Sequence, residues 1–220
     1  MLLTELLKAL LSLIFFAGVL MPGDVIKLPE PRLKGDMSLE ETISKRRSIR
    51  SFGSKAMSLD QLSQLLWAAQ GITDKQHGFR SAPSAGATYP MELYVFVKNV
   101  KGATAGLYRY VVEKHALQEV EKGDFSGVLS ECALGQYSVK SAAINFLISA
   151  VFERTTQRYG KRGIMYVHME AGHIAQNLHL QAVALGLGSV PVGAFHPDKV
   201  EEEFDITGEP LYIIPVGYPK

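Results

Sequence analysis

Residues Gly163–Leu185 read GIMYVHMEAGHIAQNLHLQAVAL, and their spacing decides how the rest of the chain must be arranged. Ile164, Val167, Ala171, Ile174, Leu178, Ala182 and Leu185 recur at steps of three and four, the pattern of one buried helix face. Met165, Met169, Leu180, Val183 and Leu187 make a second apolar stripe, with Glu170, His173, Asn177 and Gln181 as a polar strip between the two. A helix with two apolar stripes packs on two sides. It is expected at the centre of the fold or wedged at a subunit interface, with the interface as the preferred reading. Ala171, Gly172, Ala175, Ala182 and Ala184 leave room for close backbone approach.

Working outward, Ser38-Leu39-Glu40-Glu41 and Ser58-Leu59-Asp60-Gln61 match the capping-box pattern, so a helix should begin at each serine. The second carries Leu59, Leu62, Leu65, Leu66 and Ala69 at helical spacing and should stop at Gly71. Met91–Lys98 is expected as a strand. Leu107–Val112 and Ala116–Val120 are expected as a hairpin turning at Glu113-Lys114-His115. Asp124–Leu134 reads as a short helix, and Ala143–Val151 as a strand buried on both faces. Gly188–Phe195 and Pro210–Val216 complete the strand candidates. Periodicity alone gives an α+β or mixed α/β domain.

Composition narrows the function classes. The chain has 220 residues, 47% of them hydrophobic and 20% charged, which suits one folded domain with a sizeable core. Lys and Arg total 23 against 22 Asp and Glu, a net charge of +1, so the broad basic field of a general nucleic-acid binder is missing. The single cysteine, Cys132, excludes an internal disulfide framework or a Cys-rich zinc ribbon.

The chain divides into an apolar segment with a Pro/Gly linker, residues 1–37, and a domain at 38–220. Met1–Leu20 contains only two charged residues, Glu5 and Lys8, and three readings of it stand open. Leu2–Met21 just reaches the length of a membrane anchor. Alternatively, the segment forms an amphipathic helix on a membrane surface or a partner subunit, or it is a signal peptide with a poor cleavage site. Lys27, Arg32 and Lys34 after the apolar run would leave the domain on the cytoplasmic side of a membrane; export is the alternative. Pro22-Gly23 and Pro29-Glu30-Pro31 read as an extended linker.

Three segments could carry chemistry. Arg46-Arg47-Ser48-Ile49-Arg50 offers three guanidiniums and a hydroxyl, a set able to hold a phosphate monoester; the plainer alternative is a basic helix end bonded to its own carbonyls. Ala82–Pro90, with Pro83, Ser84, Ala85 and Gly86, lets backbone approach a planar ligand, or is simply a loop into the next strand. Gly188–Phe195, with Pro191, Val192, Gly193 and Ala194, is a strand end kept narrow by small residues. Other patterns fall away. His168 and His173 are five apart, about 140° on a helix, and cannot converge as a zinc-protease pair does. Gly186-Leu187-Gly188 lacks the third glycine of a dinucleotide fingerprint, and there is neither a Walker loop nor a nucleophile elbow.

Taken together, the segment Ser38–Pro219 resembles the flavin-dependent nitroreductase superfamily, and within it the SagB-type dehydrogenase branch. The resemblance rests on Arg46–Arg50, Leu65–Gly71, Pro83–Gly86, Gly106–Tyr110, Arg158–Gly163, Glu170–His173 and Pro191–Phe195, in that order. It implies a nitroreductase-like α+β fold: a central, mainly antiparallel sheet flanked by helices, with a long central dimer-interface helix. It also implies an FMN-binding homodimer with the flavin at the interface. Arg46, Ser48 and Arg50 match the phosphate and ribityl site, with Arg47 beside them. Pro83, Ser84, Ala85 and Gly86 match a flavin-edge loop supplied by the other subunit. Pro191, Val192, Gly193 and Ala194 match the strand end facing the ring, where a backbone N–H near Val192 or Gly193 would approach N5.

Hydride passes through flavin N5, so no nucleophile is needed and the protein supplies position and electrostatics. The activity implied is an oxidoreductase taking hydride from NAD(P)H or an organic donor and passing it to a small nitroaromatic, quinone or enone. Oxidation of azoline rings in a peptide is the alternative, and a non-enzymatic flavin-binding, membrane-tethered protein a second. Tyr89 and Tyr159 are the substrate-side candidates, and Tyr159 the one catalytic candidate. The pair Arg158-Tyr159 stands where azoline oxidases carry Lys-Tyr, and arginine is a poor proton acceptor. Only Lys220 represents the basic residues that many members carry beyond the last strand.

Overall fold

Ser38 and Ser58 each start a helix, as their spacing predicts. The computed structural model describes residues 23–220, so the apolar stretch 2–21 lies outside the described residues. In chain order, β1 (Val25–Lys27) leads to α1 (Leu39–Lys45), where Ser38 Oγ accepts the Glu41 N–H at 3.1 Å. Only this arm of the expected box forms there; the Glu41 carboxylate reaches Lys45 instead, 2.6 Å away. β2 (Met57–Ser58) runs into α2 (Leu59–Gln70), which has both arms of its capping box and ends at Gly71. A cap of this kind is worth about 1 kcal/mol.

β3 (Ile72–Asp74), β4 (Phe79–Arg80), β5 (Met91–Val97) and β6 (Val100–Lys101) follow, and β7 (Gly106–Val111) and β8 (Ala116–Lys122) form the expected hairpin. Its turn ends on His115 in the left-handed region, at φ 44°. α3 (Ser126–Cys132), α4 (Tyr137–Ser141), β9 (Ile144–Ala150) and α5 (Glu153–Tyr159) precede the long helix α6 (Arg162–Ala184). β10 (Gly188–Ser189), α7 (Pro197–Glu203) and β11 (Glu209–Gly217) complete the described chain.

Seven strands form one sheet in the order β1-β8-β7-β5-β9-β11-β10, every neighbouring pair antiparallel. β5 and β9 lie at its middle and are buried along their whole length, as their continuous apolar runs require. Alternation along β5 sends Leu93, Val95 and Val97 toward Leu62, Leu65 and Leu66 of α2 and Val167, Ile174 and Leu178 of α6. Tyr94 and Phe96 face the opposite layer, with Leu129, Val139, Val200 and Phe204 from α3, α4, α7 and the residue after it. Helices therefore cover both faces of the sheet.

Three expectations change. The stretch 23–37, read as part of a linker, contributes β1 to the sheet edge and then straps across α2: Arg32 N–H donates to Gln64 Oε1 at 2.8 Å and the Gln64 amide returns a bond to Arg32 O at 3.1 Å. The strand expected over Gly188–Phe195 shrinks to two residues plus a bridge from Val192 to Ile213. Pro215, which faces Val190, accepts the Val190 N–H at 3.4 Å but has no N–H to return to the Val190 carbonyl, so the ladder is interrupted between Ser189 and Val192. In α6 the first stripe is buried from Val167 to Ala182, but Ile164 at its start is 46% exposed. The helix begins beyond the sheet there.

Candidate functional site

The Arg46–Arg50 segment leaves the end of α1 and runs beside β10. Ser48 bridges to Ser189, and the Ile49 N–H donates to Ser189 O at 3.0 Å. The approach is so close that a Cβ on Gly188 would lie 2.7 Å from Ile49 Cβ, which is why glycine stands there. Arg46 Nη1 is 3.1 Å from His179 Nε2, and His179 Nδ1 is 2.5 Å from Ser189 Oγ. His179 is buried inside the first stripe of α6; burial first, and the Arg46 charge second, hold its pKa below the ordinary 6.5. A neutral imidazole satisfies both contacts, with Nδ1–H donating to Ser189 and Nε2 accepting from Arg46. His179 thus aims the guanidinium without cancelling its charge.

Arg47 behaves differently. Its Nη1 donates to Ser44 O at 3.0 Å and Arg46 O at 2.7 Å, which is the helix-end role considered from the sequence. Arg50 and Ser48 are exposed. The strand end continues from this corner: Val192 exchanges both backbone bonds with Ile213, Gly193 and Ala194 are exposed, and Gln136 Nε2 donates to Ala194 O at 2.8 Å. The structure therefore joins the arginine segment to the Gly188–Ala194 strand end.

The Pro83–Gly86 loop lies elsewhere. Residues Ala85–Ala87 make a short 3-10 turn, and Gly86, Ala87 and Tyr89 all have positive φ, of 60°, 54° and 44°. Left-handed conformations at Ala87 and Tyr89 persist only where surroundings enforce them. Ser84 Oγ accepts the Tyr89 N–H at 2.9 Å, Thr88 Oγ1 meets Thr155 Oγ1 at 2.7 Å, and Arg154 Nη1 donates to Tyr89 O at 3.2 Å. Arg80 stacks 4.3 Å from the centroid of the Tyr89 ring. Arg158 Nη1 donates to Gly86 O at 3.1 Å, and a Cβ at position 86 would sit 2.5 Å from the Tyr159 hydroxyl. Tyr159 and Arg158 thus abut this loop, with Tyr159 edge-on to Tyr166.

The 85–87 turn packs against α6, whose Glu170 is buried. Glu170 and His179 are nine residues apart, about 13 Å along α6. Within one chain, then, the arginine corner and the Pro83–Gly86 loop occupy separate places on the same helix. The helix also has an unpartnered side, where Met165 and Met169 are 44% and 48% exposed, and Leu39 and Ile43 of the adjoining α1 are exposed too. Among the described residues no group of three or more His, Cys, Asp or Glu converges as a metal site, and no helix is long and apolar enough to cross a membrane.

Comparison with known proteins gives these features a context. The model of the Nitroreductase family matches residues 43–218. The chain belongs to the nitroreductase family. The nitroreductase-family protein MJ1384 of Methanocaldococcus jannaschii is 44% identical over 195 residues, 89% of this chain and 98% of that one. A nitroreductase-family crystal structure from Anabaena variabilis superposes with a TM-score of 0.73 at 31% identity, covering 83% of this chain and 38% of that chain. The trifolitoxin-processing protein TfxB of Rhizobium leguminosarum bv. trifolii is 34% identical over 143 residues, 60% of this chain. The chain spans only 38% of TfxB's length.

This nitroreductase-family chain has the family's α+β fold and its oxidoreductase character. The expected layout, an antiparallel sheet with helices on both faces and one long helix, is the one observed. Sequence reasoning did not single out His179, Ser189 or the burial of Glu170. One signal was available for His179: it is a lone polar residue in an apolar stripe, four positions after Ala175 and three before Ala182. Ser189 carried none, because its role depends on a segment 140 residues earlier.

Proposed function

We propose that the protein is an FMN-dependent oxidoreductase that works as a homodimer. It takes two electrons from NAD(P)H or an organic donor and passes them to a small electrophile such as a nitroaromatic, quinone or enone. The observation that carries this reading is the corner where Arg46, oriented by neutral His179, meets Ser48 and the narrow strand end Gly188–Ala194. Cations beside small, exposed backbone suit a flat ring with a phosphate tail. In this assignment Arg46, Ser48 and Arg50 hold the phosphate and ribityl groups, while Arg47 secures the end of α1 next to them.

Bound FMN would supply hydride transfer at N5. The chain's part is binding and electrostatics. The Val192 N–H is already engaged by Ile213 O at 2.8 Å, which leaves the N–H of Gly193 as the donor for the ring edge. Pro191 and Ala194 flank it. The displacement of Pro83, Ser84, Ala85 and Gly86 along α6 supports their assignment to the partner's flavin, reached across the exposed methionine side of the helix. Tyr89 and Tyr159 then stand on the substrate side.

TfxB supports a second reading, a SagB-type dehydrogenase acting on azoline rings in a peptide. In that case Tyr159 would position the ring and Arg158 would hold the Gly86 carbonyl, since a guanidinium does not accept a proton. The test is anaerobic titration of the purified protein with NADH and NADPH, followed by an acceptor panel and an azoline peptide. A yellow protein that bleaches with nicotinamide and recovers with a quinone or nitroaromatic supports the first reading. Bleaching by the azoline peptide alone supports the second. A colourless protein that added FMN does not stabilise defeats both.

A further inference from the structure

Of the segments that carry the family resemblance, Gly106–Tyr110 has no part in the site described so far. Its Arg109 lines a cavity of about 230 Å³ at the end of the sheet, where β7 finishes and β5 begins. Arg80 of β4 and Arg154 of α5 line the same cavity, so three guanidiniums from separate parts of the chain meet there. The carboxylates among its lining residues are two, Glu92 and Glu113. Three cations against two anions leave the cavity with one positive charge that its own acids do not cancel.

The two acids are unequal. Glu92 is buried and serves two arginines at once: Oε2 takes Arg109 Nε and Nη2, each at 2.9 Å, and Oε1 takes Arg154 Nη2 at 2.7 Å. Arg109 Nη1 is left without a hydrogen-bond partner among the described residues. Glu113 is 70% exposed and 3.4 Å from Arg80 Nη2, a solvated contact of little strength. Arg80 itself is only 14% exposed. Its other partners are neutral, Gln70 Oε1 at 2.9 Å and the Tyr89 ring at 4.3 Å, so they fix the guanidinium without neutralising it. Keeping such a cation from water costs free energy that a bound anion would offset.

We propose that this cavity is an anion-binding subsite that takes a phosphate or carboxylate group at the end of a larger organic molecule. Guanidiniums already pinned by Glu92, Gln70 and Tyr89 lose little freedom on engaging a ligand, and their planar donors match the paired oxygens of either group. Two of these arginines also hold Tyr89: Arg80 covers its ring, and Arg154 Nη1 donates to its carbonyl at 3.2 Å. An anion seated here is therefore next to Tyr89. On the flavin-site reading given above, it is the charged end of the electron donor or acceptor; the cavity and its charge do not depend on that reading.

The probe is inorganic phosphate, titrated at constant ionic strength into the FMN-free full chain and followed by the rise in melting temperature. Every protein carries Arg46→Ala, which weakens the first arginine cluster. This parent should show a saturable response. Adding Arg109→Gln should weaken phosphate binding by about fivefold or more, and Arg109→Lys should fall between the two, because charge remains without the planar fork. General stabilisation by phosphate as a salt is common to all the proteins and cancels in the comparison. No saturable response in the parent, or an equal one in Arg109→Gln, would overturn the proposal; if the glutamine variant does not fold, Arg109→Lys is judged by the same comparison. The source of the anion is then read from KM with FMN bound and Arg46 intact. A rise in Arg109→Gln for NADPH but not NADH, with kcat held, marks the donor's phosphate; a rise for nitrobenzoate but not nitrobenzene marks the acceptor's carboxylate. Neither split, with phosphate still bound, removes the anion from the substrate side. A protein that binds no FMN defeats the flavin-site reading alone, since the phosphate titration is made without it.

Discussion

Glu170→Gln should leave stability nearly unchanged at pH 5 and raise it markedly at pH 8. The folded-state pKa is about 7, against an ordinary value of 4.5. Below 4.5 the carboxyl is neutral in both states and contributes no slope. Between 4.5 and 7 the unfolded chain gives up a proton that the folded chain keeps, so wild-type stability falls as pH rises; above 7 both are ionised and the slope vanishes. At about 1.36 kcal/mol per unit, the loss between pH 5 and pH 8 is about 2.5 kcal/mol. Glutamine mimics the neutral acid and removes this titration. For a chain of this length that difference corresponds to a melting-point gap of about 5–10 °C opening between the two pH values. Urea denaturation followed by circular dichroism at half-unit intervals reads it directly. Wild type and variant profiles that stay parallel from pH 5 to 8 would show that Glu170 ionises as an ordinary glutamate, and the account of its burial would be wrong.

Arg46→Ala and Arg50→Ala should each weaken FMN retention by more than about 1 kcal/mol, roughly fivefold or more in Kd, the scale of charge-assisted contacts; unchanged affinity in both removes the phosphate assignment. Gly86→Ala should destabilise the protein by at least about 1 kcal/mol, because φ is +60° and the new Cβ meets the Tyr159 hydroxyl and the Arg158 guanidinium. Chemical denaturation checks this, and a neutral result would show that the loop relaxes freely. His115 bonds Ser63 Oγ and Tyr110 OH, each at 2.7 Å, and burial holds its pKa below 6.5. The folded state therefore binds the proton less readily, and stability should decline as pH falls through 6.5. His115→Gln should flatten part of that decline in a thermal melt series, leaving the part due to His179, whose pKa is lowered likewise.

Much of the architecture could be read from local pattern. Ser38 and Ser58 announce their helices because a short hydroxyl side chain can satisfy a first-turn N–H without any tertiary help. β5 and β9 were visible because a strand covered on both faces needs an unbroken apolar run. β10 was over-extended, since the obstacle to it is a proline on another strand, Pro215, which local pattern cannot register. β1 was missed for the reverse reason: three residues among prolines look like a linker until the exposed edge of β8 offers them partners.

By itself, the order of residues determined the long two-striped helix, the main strands, the basic cluster and the family resemblance, because each depends on spacing within a few turns or on residue type. Tertiary structure alone decided what each charged group does. Arg46 is held by the buried His179 and Arg47 is turned back onto its own helix, although they are neighbours of the same type. Glu170 belongs to a polar strip in sequence yet is enclosed in the fold. The reason is that hydrogen-bond geometry and desolvation are set by whatever segment arrives from across the sheet, and that arrival is a property of the folded chain as a whole.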